Sequence, residues 1–193
     1  HMHINNDLLE SAHLTCAMIL ELPQLARGAG VLSTAYSQSV ISKQFRRYLS
    51  MYSKQVFVGP PENTREHVMA AAKAIIAGDW QKAVEYVVGM DTWNLLPGNG
   101  GDTIREILRL RIKEESVRTY LLMNGEHYDS VPLSHLCSIF SMEPVQTRKI
   151  ICRMIFNKEI SAAWDTPNDV LVMYKVEPSS LQLLSQNVAE KLS

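Results

Sequence analysis

The stretch from Gly59 to Trp80, GPPENTREHVMAAAKAIIAGDW, constrains the fold of this chain more than any other. Two prolines and Glu62 lead into it. Asn63 stands where a helix cap is needed, and Glu66 follows three residues on, as in a capping box. Val68, Ala71, Ala72, Ile75 and Ile76 recur at helical spacing. Gly78 suits a left-handed stop, and Asp79 suits the cap of a following helix. The spacing predicts two helices joined by almost no loop. That αα-hairpin is the unit from which helical-repeat scaffolds are built, and scaffolds bind partners more often than they do chemistry.

The rest of the chain extends this helical texture. Residues 7–22 place Leu8, Leu9, Ala12, Leu14, Cys16, Met18, Ile19 and Leu22 around most of a helix, which predicts burial on several sides. Residues 28–39 are small, polar and weakly periodic, and read as a loop. Residues 40–52 form an amphipathic helix with Ile41, Phe45, Tyr48, Leu49 and Tyr52 on its inner face. In the helix from Asp79, Trp80, Ala83, Val84, Val87 and Val88 form the packing face. A long helix is expected from Thr103, capped by Thr103 with Glu106, to about Asn124. Its inner stripe is Ile104, Ile107, Leu108, Ile112, Val117, Tyr120 and Leu121.

The pattern changes at Tyr128. DSVPLSHLCSIF reads as a short extended piece and a helix, and SMEP as a turn. Residues 145–157 form a second helix with Val145, Ile150, Ile151, Met154 and Ile155 inward. ISAAW and DVLVMYK follow as two short β runs joined by DTPN. Helix, turn, helix and hairpin in that order describe a winged helix. The residues from Ser179 read as a last helix with Leu181, Leu184, Val188 and Leu192 along one side. The expected fold is therefore mainly α: a helical-repeat stack over 1–127, a winged-helix subdomain with a small β-hairpin over 128–177, and a C-terminal helix over 178–193.

That order resembles the PCI module, named for the proteasome lid, the signalosome and translation initiation. Particular segments narrow the resemblance. MHINNDLLE, ISKQF, GPPENTREHV, AGDW, KEESVRTYL and VAEKLS look like the c-subunit of eukaryotic translation initiation factor three, in that family's order and across nearly the whole chain. The match is loose over 28–39 and 90–101. The resemblance implies the C-terminal part of a large scaffold protein that resides in the cytoplasm. It implies assembly with other subunits of the factor, especially the a-subunit, and contact with the small ribosomal subunit and its RNA. GPPENTREHV and KEESVRTYL count against the rival reading, a PCI scaffold of the proteasome lid or signalosome.

Chemistry-bearing patterns are few. The six histidines are scattered, and no pair has zinc-like spacing with a cysteine. PGNGG lacks the following GK[ST] of a phosphate loop, and no GxSxG elbow occurs. No metal, cofactor, small-molecule substrate or enzymatic activity is expected. Cys16, Cys137 and Cys152 sit on apolar helical positions without CxxC spacing, so buried reduced thiols are expected. No apolar run reaches the length of a membrane span, and no signal peptide is visible.

Two basic clusters remain. Arg148, Lys149 and Arg153 lie on the second helix of the winged unit, with Lys158 just beyond. Lys43, Arg46 and Arg47 lie on the earlier amphipathic helix. Both are candidate contacts to ribosomal RNA, each weak and salt-sensitive. Against a DNA-binding winged-helix regulator stands the charge of residues 128–177, where acids outnumber bases by one. The plainer reading of the winged unit is a protein-docking surface. Its hairpin, with Val170 and Val172, and the last helix, with Leu181, Leu184, Val188 and Leu192, are the candidate subunit interfaces.

Overall fold

The computed structural model describes residues 5–29, 40–55 and 59–174, together with 181, 184, 185 and 188. Two compact units emerge among these residues, one from 5–23, 40–55 and 59–120, the other from 24–29 and 121 onward.

The first unit holds most of helix α1 (Asn6–Ala29), helices α2 (Lys43–Ser53), α3 (Thr64–Ile76) and α4 (Trp80–Val88), and most of α5 (Gly100–Asn124). Asn5 caps α1, its Oδ1 accepting from the backbone N–H groups of Asp7 (3.0 Å) and Leu8 (3.3 Å). The helix runs through Pro23, seven residues past the end expected for it. Proline costs the helix one backbone bond, but Leu22, Pro23 and Ala26 are buried, and packing outweighs the local penalty. Among the described residues, burial does not extend around the whole helix. Leu14, Met18 and Leu22 face the core, while Leu9, Ala12, Cys16 and Leu20 share an exposed side. Composition alone could not show which side of α1 the described residues leave exposed.

The hairpin closes as its sequence requires. Gly78 adopts φ +85°. Its N–H donates to Ile75 O (3.0 Å), and the N–H of Asp79 donates to Ala74 O (2.8 Å). This pair of bonds is a Schellman motif, with glycine at the left-handed position. The Asp79 carboxylate then caps α4 by accepting from the Lys82 N–H at 3.1 Å. The start of α3 differs from the expected capping box. Asn63 occupies the cap position without a side-chain bond. Glu66 instead accepts from the N–H of Glu62 at 2.9 Å, one residue further back.

Helix α5 begins at Gly100, three residues before the expected cap, and the Thr103 hydroxyl donates to Asn99 O at 3.1 Å. The cause lies in the preceding segment, a 3-10 turn over Asp91–Leu95. Trp93 is buried there and donates its indole N–H to Val87 O at 2.7 Å. A Cβ on Gly101 would lie 2.5 Å from Trp93 O, so only glycine lets α5 start against this turn. Arg105 ties the same turn down, donating to Val88 O (3.2 Å) and Asn94 Oδ1 (2.5 Å). Along α5, Leu108, Ile112, Val117 and Leu121 are buried, whereas Ile107 is exposed. Ile41 is exposed as well, because α2 starts only after it, with Ser42 Oγ accepting from the Phe45 N–H at 3.2 Å.

The second unit contains β1 (Ser130–Pro132), α6 (Leu133–Phe140), α7 (Pro144–Phe156), β2 (Ala162–Asp165) and β3 (Val170–Met173). The three strands form an antiparallel sheet in the order β1-β3-β2. Leu171 is the centre of the sheet, paired with Val131 on one side and Trp164 on the other. Ser141 at φ 47° ends α6, and Pro144 opens α7 with its preset φ. This is the helix-turn-helix and wing that the pattern from Tyr128 predicts. Within α7, Thr147, Ile151 and Met154 face the core. Val145, expected inward, is exposed, because it lies opposite the buried Met154 on the helix.

The cysteines depart from expectation. Cys16 and Cys152 are exposed, and Cys137 is half-buried, its thiol 3.6 Å from the Thr147 hydroxyl. All three thiols are free. The segment 30–39 and the residues Lys175 and Leu192 lie outside the described residues.

Candidate nucleic-acid and docking interface

Helix α7 separates its basic residues onto different sides. Arg148 turns inward toward the wing. Its guanidinium pairs with Asp169, in the turn between β2 and β3, and lies 5.0 Å from the centre of the Trp164 ring. Asp169 itself sits at φ 52°, and its carbonyl accepts from the Leu133 N–H at 2.9 Å. Arg148 and Asp169 therefore brace the wing against α7 and the start of α6. Lys149 and Arg153 are exposed further round the helix, and Cys152 and Phe156 are exposed as well. No acid occurs from Pro144 to Lys158.

Lys158 follows at φ 55°. Its N–H donates to Ile155 O (3.0 Å), and the Glu159 N–H donates to Met154 O (2.8 Å). This is the same terminating motif that ends α3, with lysine in the place that glycine holds there. A left-handed conformation at a side-chain-bearing residue costs about 1 kcal/mol.

The α2 cluster is divided too. Arg46 donates from Nε to Glu21 Oε2 at 2.8 Å, and Glu21 is fully buried in α1. Lys43 and Arg47 remain exposed. The neighbouring tyrosines are engaged rather than presented. Tyr52 is buried, with Lys73 Nζ 4.6 Å from its ring centre. Burial first, then Tyr86 and Glu66, raises the Tyr52 hydroxyl above its usual pKa. Tyr48 lies under Arg65, whose guanidinium is 5.1 Å from the ring centre. Glu10 holds Arg65 in place through a hydrogen bond and its charge, and raises the Arg65 pKa.

At the candidate subunit interfaces, Val170 and Val172 alternate with the buried Leu171 and are half-exposed. Leu181, Leu184 and Val188 are helical and exposed. Sequence reading missed Phe156, which is 86% exposed at the end of α7. Its signal was helical phase, since it falls in line with Lys149, Cys152 and Arg153. It also missed the carboxylates Glu21 and Asp169, which engage Arg46 and Arg148. Both lie far from their partners in sequence.

Among the described residues no group of three or more His, Cys, Asp or Glu side chains could hold a metal ion. No described helix is long and apolar enough to cross a membrane.

Comparison with known proteins agrees with this architecture. The PCI domain family model matches residues 91–175, and the model described as eukaryotic translation initiation factor 3 subunit 8 N-terminus matches residues 1–29. The chain is 41% identical over its full length to the C-subunit of eukaryotic translation initiation factor 3 from Caenorhabditis briggsae. It is also 41% identical to that of Phaeosphaeria nodorum, and 39% identical over 99% of its length to that of Schizosaccharomyces pombe. It covers 21%, 22% and 20% of those proteins, about a fifth of the length of the curated relatives it matches. Full-length identity near two residues in five, with the PCI match over the winged unit, places the chain in the C-subunit family of eukaryotic translation initiation factor 3.

Proposed function

We propose that the chain is a non-catalytic docking domain of a cytoplasmic translation initiation factor subunit. It holds other subunits of the factor, the a-subunit foremost, and contacts the small ribosomal subunit and its RNA. The observation that carries this reading is full-length similarity to a protein named for the initiation factor. The form of the surface supports it. The winged unit exposes a basic helix face on α7, half-exposed valines on the wing and a helical apolar stripe at Leu181, Leu184 and Val188. The RNA contacts are Lys149, Arg153 and Lys158 on one face, and Lys43 and Arg47 on the other. Arg148 and Arg46 stand at the inner margins of these faces, each held by a carboxylate.

Co-sedimentation with purified small ribosomal subunits over a salt series tests the ribosomal contact. The parent chain is expected to bind at low salt and to dissociate as salt rises, since phosphate contacts release counterions. Lys149→Glu with Arg153→Glu should weaken retention and flatten its salt dependence. Lys43→Glu with Arg47→Glu tests the second face. Arg148 and Arg46 stay in place, because their reversal would also damage the fold. Unchanged retention in both double variants would overturn the contact. Recovery of proteasome-lid or signalosome subunits in place of initiation-factor subunits would overturn the assembly reading.

A further inference from the structure

We infer that the exposed face of α7 takes an unpaired nucleobase on Phe156, with Lys149, Arg153 and Lys158 on the flanking phosphates. This rests on the reading of α7 as an RNA contact and specifies what kind of RNA it takes: single strands rather than duplex. Phe156 is the most exposed large hydrophobic side chain among the described residues. The interior of α7 is filled by Thr147, Ile151 and Met154, so the ring has no part in the core. A single exposed apolar side chain is ordinary, but an aromatic ring set in a basic stripe is a surface that a partner can cover.

Charge decides what covers it. Phe156 lies three residues after Arg153 and seven after Lys149, on one stripe about 10 Å long. No acid interrupts the helix. Lys149, Arg153 and Lys158 form no ion pair among the described residues, whereas Arg148, at the edge of the stripe, is held by Asp169. The backbone at Lys158 accepts a left-handed conformation that glycine would adopt more easily. A charged residue is thus kept beside Phe156 at a cost to the fold. A flat ring bordered by three cations suits a partner with both a π-face and phosphates. An A-form RNA duplex keeps its bases stacked inside and hides them in a deep, narrow major groove that a side-chain ring cannot enter. Unpaired bases stack on aromatic side chains, with cations along the backbone.

The test uses the whole chain with an unstructured oligouridylate of about ten nucleotides carrying one 2-aminopurine, and the matching RNA duplex. The parent is expected to favour the single strand and to change the probe's fluorescence by stacking. Phe156→Ala should weaken single-strand binding about tenfold and abolish the fluorescence change, leaving the salt dependence intact. Phe156→Trp should preserve both. Because the ring is exposed, neither change should disturb the far-ultraviolet circular dichroism. If Phe156→Ala binds as the parent does while Lys149→Glu with Arg153→Glu loses binding, the stacking site is overturned and the RNA contact stands. If the parent binds neither RNA but binds an acidic peptide such as polyglutamate, both readings are overturned.

Discussion

Glu21 of α1 is fully buried and accepts a hydrogen bond from Arg46 Nε of α2 at 2.8 Å, along with one from the backbone N–H of Ser42. The Ser42 hydroxyl in turn caps α2. One carboxylate therefore fixes both the start of α2 and the direction of its first arginine. Arg46→Ala would leave the Glu21 charge buried without its ion partner, and should cost about 3 kcal/mol in urea unfolding. Glu21→Gln keeps an acceptor for Ser42 and should cost less. A double-mutant cycle that returned no coupling between the two sites would contradict this pairing.

The Asp79 cap predicts a pH dependence. Hydrogen bonds from the Lys82 backbone and then its side chain hold the Asp79 carboxyl below the usual carboxylate range. A folded-state pKa below the unfolded one adds stability above the unfolded value. That stability is lost as pH falls through the folded pKa. Asp79→Ala should lower stability by about 1 kcal/mol at neutral pH. The gap between variant and parent should close in strongly acidic buffer, as followed by thermal melts across pH.

Gly78 and Lys158 occupy equivalent positions in two helix-ending motifs, at φ +85° and 55°. Exchange of residue type should act in opposite directions. Gly78→Ala should destabilise the chain by about 1 kcal/mol, since a side chain there is strained even in open space. Lys158→Gly should stabilise it by about 0.5–1 kcal/mol. Chemical denaturation of the two variants checks both signs, and a destabilised Lys158→Gly variant would show that the lysine makes a compensating contact.

Gly101 meets the Trp93 carbonyl too closely to carry a side chain. Gly101→Ala should cost about 1–3 kcal/mol through displacement of backbone rather than of a flexible side chain. Because Trp93 is buried beside this contact, its fluorescence maximum should shift to longer wavelength in the variant. A variant with the parent's melting temperature and emission would show that the 3-10 turn yields freely.

Local chemistry is legible in the residues themselves. Gly78 and Asp79 announce a stop and a restart, and DTPN between two apolar runs announces a wing, because these depend on backbone preferences of a few adjacent residues. The identity of the family is legible in the same way, from GPPENTREHV and KEESVRTYL. What the sequence does not decide is direction. Leu9 and Cys16 look like core residues on a helix rich in apolar positions, yet they face outward, since burial depends on where neighbouring helices lie. Arg46 and Arg148 look like surface cations, yet Glu21 and Asp169, each more than twenty residues from its partner, turn them inward. Phe156 looks like one more apolar residue at a helix end, and only the phase set by Ile151 and Met154 against the core leaves it exposed among cations. Sequence determines which helices form, and where a glycine such as Gly78 stops one, because those are local free energies, whereas the run of α1 through Pro23 is set by packing. Tertiary packing determines which charges and rings are left for a partner, because it selects the buried face of each helix and brings distant carboxylates to some cations and not to others.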